Sequence, residues 1–244
     1  MSAAPLDLPG LFDEDLAAIQ AEAISPRADA GLPWLIAMGR AAAVGSGRNP
    51  ALHDLGCGDG RWMARAQDAG FRVTGLDLSP ACVALAQDRG LRPAKADAAR
   101  APMPSVDLVT GLGEALAYLD RDGRPALDVV ARRAGEILRP GAWLIFDLPG
   151  PETPLGPQEE AGQGWRLRLD QRMEGGALVR DIETERRVHG VPRLRRTRHR
   201  LALRPPEAVV AALDHAGFDA RALDRWGDLP LPAGRIGYAA RRKG

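Results

Sequence analysis

Glycines and carboxylates cluster between Asp54 and Asp77 in a pattern that suits the binding of a nucleoside. The first part of this cluster follows an apolar segment and reads Asp54-Leu55-Gly56-Cys57-Gly58-Asp59-Gly60. Glycines at such a turn let the backbone approach a ligand, and free amides at the start of a following helix favour an electronegative group. Asp77 lies nineteen residues after Gly58, where a carboxylate at the end of the next strand can accept both ribose hydroxyl hydrogens.

Asp54 narrows the class of ligand. A carboxylate just before the turn repels a pyrophosphate, whereas it attracts the ammonium group of an amino-acid cofactor. The dinucleotide pattern also requires Gly-x-Gly-x-x-Gly, and in this chain Ala64 and Ala66 continue the helix instead. A nicotinamide dehydrogenase is therefore the weaker interpretation of this motif.

The glycine turn resembles motif I of the class I S-adenosylmethionine-dependent methyltransferases, whose usual form is Asp/Glu-x-Gly-x-Gly-x-Gly. Further segments are similar to that family in their order and spacing, over roughly residues 50–148 and 205–242. They are Leu76-Asp77-Leu78-Ser79, Ala96-Asp97-Ala98, Asp107-Leu108-Val109-Thr110 with Gly111-Leu112-Gly113-Glu114, and Leu138-Arg139-Pro140-Gly141-Ala142.

The resemblance implies S-adenosyl-L-methionine as cofactor and S-adenosyl-L-homocysteine as product. In that family a terminal helical segment, here residues 11–44, commonly folds over the cofactor. We expect cofactor contacts from the glycine turn, from the ends of the neighbouring strands and from the turn after the fourth strand. These residues are Asp54, Gly56, Cys57, Gly58, Gly60, Asp77, Leu78, Asp97, Ala98, Leu112 and Gly113.

The segment after the fourth predicted strand bears on the acceptor. Nucleic-acid amino methyltransferases usually carry Asp/Asn-Pro-Pro-Phe/Tyr there, whereas this chain has Thr110-Gly111-Leu112-Gly113-Glu114. The pattern of Leu112, Gly113, Leu116, Tyr118 and Leu119 resembles enzymes that act on small molecules, including glycine-type N-methyltransferases. Those enzymes often have Asn in place of Glu114, and an acid suits an amine-bearing acceptor. We therefore expect methylation of a small molecule, on nitrogen or else on oxygen or sulfur, with Glu114 and Tyr118 in the pocket.

His199 is the predicted general base. It shares strand parity with Leu201 and Leu203, which places it on the sheltered face, and imidazole titrates near neutral pH. A packed histidine without a catalytic role is the alternative. His189, near a turn, and His53, in a strand, are weaker candidates.

A basic stretch at residues 193–200 raises the alternative of an RNA acceptor. Arg196, Arg198 and Arg200 have the opposite parity to the leucines, and acids on the neighbouring strand can pair with them. No aromatic residues alternate with these arginines to stack on bases. The small-molecule interpretation is therefore preferred to an RNA or protein methyltransferase, and also to a non-catalytic domain that only binds cofactor.

Alternating strands and helices must position these residues. Between Ala51 and Asp147 the alternation predicts a doubly wound, mostly parallel sheet, and the resemblance implies seven strands and the Rossmann-like methyltransferase fold. Residues 149–164, rich in Pro, Gly and Glu, predict a loop, and residues 165–203 predict three antiparallel strands. The expected units are an N-terminal helical lid (1–48), a cofactor-binding core (49–148 and 205–244) and an antiparallel β-insert over the substrate (149–204).

The overall composition excludes few functions. The chain has 244 residues and a net charge of +1, so no overall field favours nucleic acid or an anionic membrane. Its two cysteines, Cys57 and Cys82, fit neither a disulfide framework nor a metal site. No segment has the pattern of a membrane span or a secretion signal. We expect a cytoplasmic monomer or homodimer whose partner is a small-molecule acceptor, with no bound metal.

Overall fold

The structure, a computed structural model, describes residues 12–119 and 123–244. Its helices are α1 (Glu14–Ile19), α2 (Leu32–Ala43), α3 (Arg61–Asp68), α4 (Pro80–Asp88), α5 (Ala126–Ile137) and α6 (Pro206–His215). Its strands are β1 (Ala51–Leu55), β2 (Arg72–Asp77), β3 (Ala94–Lys95), β4 (Leu108–Gly111), β5 (Trp143–Pro149), β6 (Gly156–Gly162), β7 (Trp165–Glu174), β8 (Ala177–Val188), β9 (Val191–Ala202), β10 (Phe218–Leu223), β11 (Arg225–Trp226), β12 (Leu229–Pro230) and β13 (Arg235–Arg242). None of the helices described has the length and hydropathy of a membrane-spanning segment.

A seven-stranded sheet in the order β10-β13-β5-β4-β1-β2-β3 forms the centre of the molecule. β13 runs antiparallel to β5 and β10, while the five other strands are parallel to one another. β1 and β4 are buried along their whole length, because helices cover both faces and so favour continuous apolar strands. Residues of α5 and α6 belong to one hydrophobic cluster, and residues of α2 and α3 to another. The predicted fold class is confirmed.

The strand order reverses between β1 and β4, and this is where the candidate residues meet. Asp54 on β1 is in register with Gly75 on β2 and with Thr110 on β4. At such a point in a parallel sheet, the connections that follow the two neighbouring strands run to opposite faces of the sheet. A crevice therefore forms between these connections, at the carboxyl ends of the strands. The fold therefore supplies a binding site beside Asp54.

A second, four-stranded antiparallel sheet in the order β6-β7-β8-β9 forms the insert. The sequence predicts only three strands, and it predicts a loop where β6 lies. β6 pairs with β7 from Gly156↔Gln171 to Gly162↔Trp165. Its side chains are mostly exposed, so the strand is held by backbone hydrogen bonds and shows no alternation of apolar residues. The prediction of a loop over the whole of 149–164 was therefore wrong.

The two faces of the insert differ in chemistry, as strand parity predicts. Arg196 and Arg198 on β9 pair with Glu183 and Asp181 on β8, at 2.7 and 2.5 Å. These pairs lie on the outer face, and the predicted cross-strand pairing is confirmed. The inner face carries the buried residues Ile182, His199 and Leu201.

The N-terminal segment is helical from Glu14 to Ala43 and changes its hydrogen-bond pattern three times. α1 continues as a π-helical turn (Gln20–Ile24), then as a 3₁₀ segment (Ser25–Gly31), and then as α2. Ser25 and Pro26 lie at the start of the 3₁₀ segment and do not interrupt the helical course of the chain, because a proline in a first turn needs no intrahelical donor. The predicted helix start at Leu11 lies outside the described residues.

Two carboxylates fix the N-terminal segment and the amino end of the sheet. Asp15 on α1 is buried and accepts hydrogen bonds from Arg193 and Arg186 of the insert. Asp107, at the amino end of β4, is fully buried. It accepts from both Nη atoms of Arg48, at 2.8 and 2.9 Å, from the Ala51 N–H at 2.8 Å, and from Arg139. Asp107 therefore joins three separate parts of the chain, residues 48–51, the start of β4 and Arg139, at the end of the sheet opposite to the crevice.

Asp107→Ala should lower the free energy of unfolding by about 3 kcal/mol, because it leaves two partly buried guanidinium groups without their carboxylate. Urea unfolding monitored by circular dichroism would measure the change. Glu136→Ala is the matched control. It removes a carboxylate from a pair in which both side chains are more than half exposed, and it should cost less than about 1 kcal/mol. Equal losses in the two variants would contradict this account of Asp107.

Candidate active site

A cavity of about 790 Å³ lies at the carboxyl edge of the central sheet, within the size range of small-molecule sites, roughly 300–1,000 Å³. The glycine turn after β1, the end of β2 and the turn after β4 form its floor. Its walls come from the helical segment 12–35, the hairpin β11–β12 with residues up to Pro232, and strands β6 and β7. The cavity is therefore enclosed by segments that lie far apart in the sequence.

The glycine turn presents bare backbone to this cavity. Gly58 has φ +55°, and a Cβ built on it would have no neighbour within 4 Å. Its N–H donates to Asp77 Oδ2 at 2.8 Å. Gly56 also has positive φ, and a Cβ there would lie only 2.6 Å from the Cβ of Ala115. Any side chain at either position is strained, and at Gly58 it would project into the space that a ligand needs.

Cys57 and Gly60 of the same turn differ in their position relative to the cavity. Cys57 lines the cavity and is buried, which raises the pKa of its thiol. Gly60 precedes α3 and packs against Ala86 and Leu91, outside the cavity lining. Gly60 therefore shapes the turn, while Gly56, Cys57 and Gly58 face the site.

Asp77 and Leu78 line the cavity at the end of β2. The two oxygens of Asp77 accept the N–H groups of Gly58 and Ser79, each at 2.8 Å. Burial raises the pKa of Asp77 despite these hydrogen bonds. Each oxygen keeps lone pairs for further donors, so this carboxylate is oriented by the backbone and can still accept a pair of hydroxyl hydrogens.

Asp54 is a buried carboxylate on the cavity wall. The Thr110 hydroxyl donates to Asp54 Oδ1 at 2.6 Å, and the Trp62 indole N–H donates to the Thr110 oxygen at 3.0 Å. Burial raises the pKa of Asp54 to about 7, with smaller contributions from the charges of Asp77 and Asp59. Among the ion pairs of the described residues, none involves Asp54, so a cationic ligand group would satisfy it.

Asp97 and Ala98 line the cavity beyond β3, and Leu112 and Gly113 line it after β4. The Ala99 N–H donates to Asp97 Oδ1 at 2.8 Å, and Arg100 lies 3.5 Å from Asp97 Oδ2. The structure thus brings every predicted cofactor residue except Gly60 onto a single cavity.

Glu114 lies just behind this wall, in a strained backbone conformation with φ +64°. The N–H groups of Gly113 and Glu114 donate to the two oxygens of Asp147, at 2.8 and 3.1 Å. The Glu114 carboxylate is buried and pairs with Arg180 of β8 and with Arg235 at 3.5 Å; Arg235 also lies 3.3 Å from Asp147.

The charges in this cluster explain its ionisation. Burial raises the pKa of Glu114, but the nearby guanidinium groups of Arg235 and Arg180 outweigh burial and bring it below its usual range. Burial raises the pKa of Asp147 to about 6 despite the charge of Arg235. Glu114 is therefore an ionised, paired carboxylate that links the turn after β4 to the insert.

Tyr118 lines the cavity, and His199 lies behind it. The Tyr118 hydroxyl and His199 Nδ1 are 3.2 Å apart, and the histidine is 1% exposed. The ring of Phe12 packs at 5.2 Å from the imidazole. Burial raises the pKa of Tyr118, so its hydroxyl stays protonated near neutral pH. The predicted sheltered position of His199 is confirmed, and the group of this pair that faces the cavity is the tyrosine.

His53 and His189, the weaker candidates for a general base, lie away from the cavity lining. His53 on β1 bonds through Nδ1 to the Thr74 hydroxyl at 2.9 Å, and burial lowers its pKa to about 4. His189 is in the turn between β8 and β9, with φ +49°. Neither is among the residues that line the cavity. Within residues 12–119 and 123–244, no group of three or more His, Cys, Asp or Glu side chains is arranged to hold a metal ion.

Several residues of the site lie outside the glycine motif and were not predicted from the sequence. Asp147 follows four apolar residues near the carboxyl end of β5, which is a recognisable signal for a residue at that edge of the sheet. Arg180 and Arg235 carry no such signal, since only the folded chain brings them to Glu114. The hairpin β11–β12 was also missed, because each of its strands has only two residues.

Comparison with known proteins agrees with the geometry. A family model described as "Methyltransferase domain" matches residues 53–141. None of the curated protein sequences compared with the chain matches it.

Solved structures match almost the whole chain. A S-adenosylmethionine-dependent methyltransferase from Clostridium acetobutylicum ATCC 824 has 20% identity and a TM-score of 0.73, and the match covers 93% of this chain and 98% of that one. A sugar N-methyltransferase from Streptoalloteichus sp ATCC 53650 has 20% identity, TM-score 0.72 and coverages of 100% and 97%. An amino pentose methyltransferase from Micromonospora echinaspora has 22% identity, TM-score 0.70 and coverages of 98% and 100%.

At these identities the solved structures establish the fold, and the family model adds the class of domain. The predicted methyltransferase class is thus confirmed along with the fold. The chain carries a methyltransferase domain, built on the fold of the S-adenosylmethionine-dependent methyltransferases.

Proposed function

We propose that this methyltransferase transfers the methyl group of S-adenosyl-L-methionine to a nitrogen of a small molecule and releases S-adenosyl-L-homocysteine. The enclosure of the cavity is the observation that carries the proposal. Its walls include Phe12 and Leu35 of the N-terminal segment, Leu169 of the insert and Trp226 of the hairpin. A cavity of about 790 Å³ bounded on these sides suits a cofactor with a small acceptor better than a polymer.

The charges on the cavity floor support this cofactor. Asp54 would pair with its ammonium group, Asp77 would accept the ribose hydroxyls, and Asp97 would lie beside the adenine. The bare backbone at Gly58 would allow close approach. When bound, the cofactor supplies a methyl group on a positively charged sulfur, and an in-line displacement moves that group to the acceptor, so positioning dominates catalysis.

A nitrogen acceptor is supported by one of the structural neighbours, which is a sugar N-methyltransferase; another neighbour is an amino pentose methyltransferase. The chemistry of the site agrees with it. A neutral amine needs only to present its lone pair, after which the extra proton can pass to water. Oxygen and sulfur acceptors are the alternatives, and each would require a proton to be removed before or during the transfer.

Tyr118 would orient this amine. A hydroxyl can donate one hydrogen bond and accept others, so Tyr118 can donate to His199 Nδ1 and accept an amine N–H from the cavity. His199 would then be a positioning residue that acts through Tyr118, in place of the general base predicted from sequence. Glu114 would act through Arg180, by holding the insert over the turn that carries Gly113.

We propose that the chain divides into a lid (1–48), a core (49–148 and 205–244) and a β-insert (149–204). We also propose that the protein is cytoplasmic and that it is a monomer or a homodimer.

The proposed function predicts that label from methyl-labelled cofactor will enter a small molecule when the protein is given an extract of cellular amines. The acceptor would be identified by mass spectrometry as the compound that gains one methylene in mass. Asp77→Ala should lose both cofactor binding and label transfer. Label that appears in RNA or protein, with none in the small-molecule fraction, would overturn the proposal.

The raised pKa of Asp54 predicts that cofactor affinity decreases as the pH is lowered. The carboxylate must be ionised to attract an ammonium group, and in the free protein it takes up a proton below about pH 7. Affinity should therefore level off near pH 7 and weaken about tenfold per pH unit well below it. Titration calorimetry between pH 5.5 and 7.5 would measure this. Asp54→Asn should bind weakly with a nearly flat profile, and an unchanged slope in that variant would exclude Asp54 as the titrating group.

Tyr118→Phe and His199→Ala should lower kcat by similar factors, of roughly ten to a hundred, while cofactor affinity stays near that of the parent. The double variant should be little worse than either single variant, because Tyr118→Phe removes the hydroxyl that His199→Ala would leave without its orienting partner. His199→Asn, which keeps a polar partner for the hydroxyl, should recover part of the rate. Multiplicative losses in the double variant would instead show that His199 and Tyr118 act independently.

A further inference from the structure

We propose that Thr110 and Trp62 are positioning residues, which hold Asp54 as an ionised acceptor for the ammonium group of the cofactor. Trp62 acts through Thr110, and Thr110 acts through Asp54. This inference rests on the proposed function, because that function assigns the ammonium group to Asp54. It adds the two groups behind the carboxylate, which the glycine motif does not identify.

The register of the central sheet places Thr110 beside Asp54. The two residues are partners on the parallel strands β4 and β1, so their side chains leave the sheet on the same face. Trp62 on α3 covers that face, and it belongs to the same hydrophobic cluster as Leu52 of β1 and Leu108 of β4. Rigid elements rather than loops therefore bring the indole, the hydroxyl and the carboxylate together.

The chemistry of these side chains fixes the direction of their hydrogen bonds. An indole N–H can only donate, and a threonine hydroxyl has one hydrogen to give. The Trp62 N–H donates to the Thr110 oxygen at 3.0 Å, and the Thr110 hydroxyl donates to Asp54 Oδ1 at 2.6 Å. A hydroxyl that donates to a charged carboxylate usually lies at about 2.5–2.7 Å from it. The geometry therefore favours the ionised form of Asp54.

Water competes little with this chain of hydrogen bonds. Thr110 is fully buried, and Asp54 and Trp62 are 3% and 6% exposed. A hydrogen bond in such surroundings is stronger than in water, and each bond of a chain polarises the next. Asp54 Oδ2 receives no hydrogen bond from the described residues. One carboxylate oxygen is thus held by Thr110, and the other is left for the ammonium group.

The charges around Asp54 oppose its ionisation. Burial raises the pKa of Asp54, and so do the charges of Asp77 at the end of β2 and of Asp59 in the glycine turn, whereas the Thr110 hydroxyl lowers it. The neighbouring Cys57 thiol has a raised pKa and stays uncharged. Acids on the surrounding elements are already paired: Asp59 with Arg89, Asp29 with Arg61, and Asp147 with Arg235. The Thr110 hydroxyl therefore favours the ionised form of Asp54 before the cofactor binds.

Thr110→Val tests the inference, because valine keeps the shape of threonine but lacks the hydroxyl. The pKa of Asp54 should rise further, so the loss of affinity should depend on pH. The parent should bind S-adenosyl-L-homocysteine, which carries the same ammonium group, about tenfold more tightly than the variant at pH 6 and less than about twofold more tightly at pH 8.5. Titration calorimetry of both proteins at each pH gives this ratio, in which the ionisation of the ligand's own amine cancels.

Two further variants serve as controls. Thr110→Ser restores a hydroxyl and should recover most of the affinity that Thr110→Val loses at pH 6. Thr74→Val makes the same change on β2, where the hydroxyl contacts His53 at 2.9 Å away from the cavity lining, and its ratio should stay near one at every pH. A ratio for Thr110→Val that is the same at every pH, no recovery in Thr110→Ser, or an equal pH trend in Thr74→Val would overturn the inference.

Trp62→Phe tests the step from Trp62 to Thr110. Alone, it should change the ratio in the same direction as Thr110→Val but by a smaller factor, because the hydroxyl remains and loses only its donor. Combined with Thr110→Val, it should add no further pH-dependent loss, because Trp62 acts through the hydroxyl. The double variant also leaves no indole N–H unpaired, so it serves as the test protein if Thr110→Val folds poorly. A further pH-dependent loss in the double variant would contradict the place of Trp62 in the inference.

The outcomes separate this inference from the proposed function. If Asp54→Asn abolishes the pH dependence of cofactor affinity and Thr110→Val gives a constant ratio, the inference fails and the pairing of Asp54 with the ammonium group stands. If Asp54→Asn keeps the pH dependence of the parent, that pairing is removed from the proposed function, and the inference fails with it.

Discussion

Buried carboxylates at the carboxyl ends of β1, β2 and β5 hold the loops of this site in place. A carboxylate that leaves water must find donors, and these three find them in neighbouring turns or, for Asp54, on the neighbouring strand β4. Asp77 accepts hydrogen bonds from the N–H groups of Gly58 and Ser79, and Asp147 accepts them from the N–H groups of Gly113 and Glu114. Asp54 accepts a hydrogen bond from the hydroxyl of Thr110. The need to satisfy these acids thus fixes the turns of the site, and burial raises the pKa of the same acids although the hydrogen bonds oppose it.

The same arrangement explains why the part of the site that holds the cofactor could be predicted from sequence. The glycine turn and Asp77 belong to one strand–helix–strand unit, so their spacing along the chain determines their spacing in the structure. The pairing of Glu114 with Arg180 and Arg235 depends on contacts between segments far apart in sequence. Pattern alone could identify Glu114 as close to the pocket but could not supply its partners.

In the insert, prediction from sequence succeeded for β9 and failed for β6, although both strands belong to one sheet. Strand parity correctly placed His199 on the sheltered face and Arg196 and Arg198 on the outer one, because alternation in β9 is a local property of the strand. It could not show that Tyr118, and not His199, lines the cavity. β6 was not predicted because its side chains are mostly exposed. A strand that is held by backbone hydrogen bonds at a sheet edge needs no alternation of apolar residues, so its composition does not identify it.

The position of Asp107 has a consequence for how this protein can change. Its ion pairs with Arg48 and Arg139 lie at the amino end of the sheet, whereas the hairpin β11–β12 and Tyr118 line the cavity at the carboxyl end. The residues that hold the amino end together and the residues that would contact an acceptor are therefore separate sets. Substitutions in the cavity lining should accumulate without weakening the ion pairs of Asp107, because distant sites that share no partner contribute independently to stability. A directed-evolution library confined to the hairpin would exploit that independence.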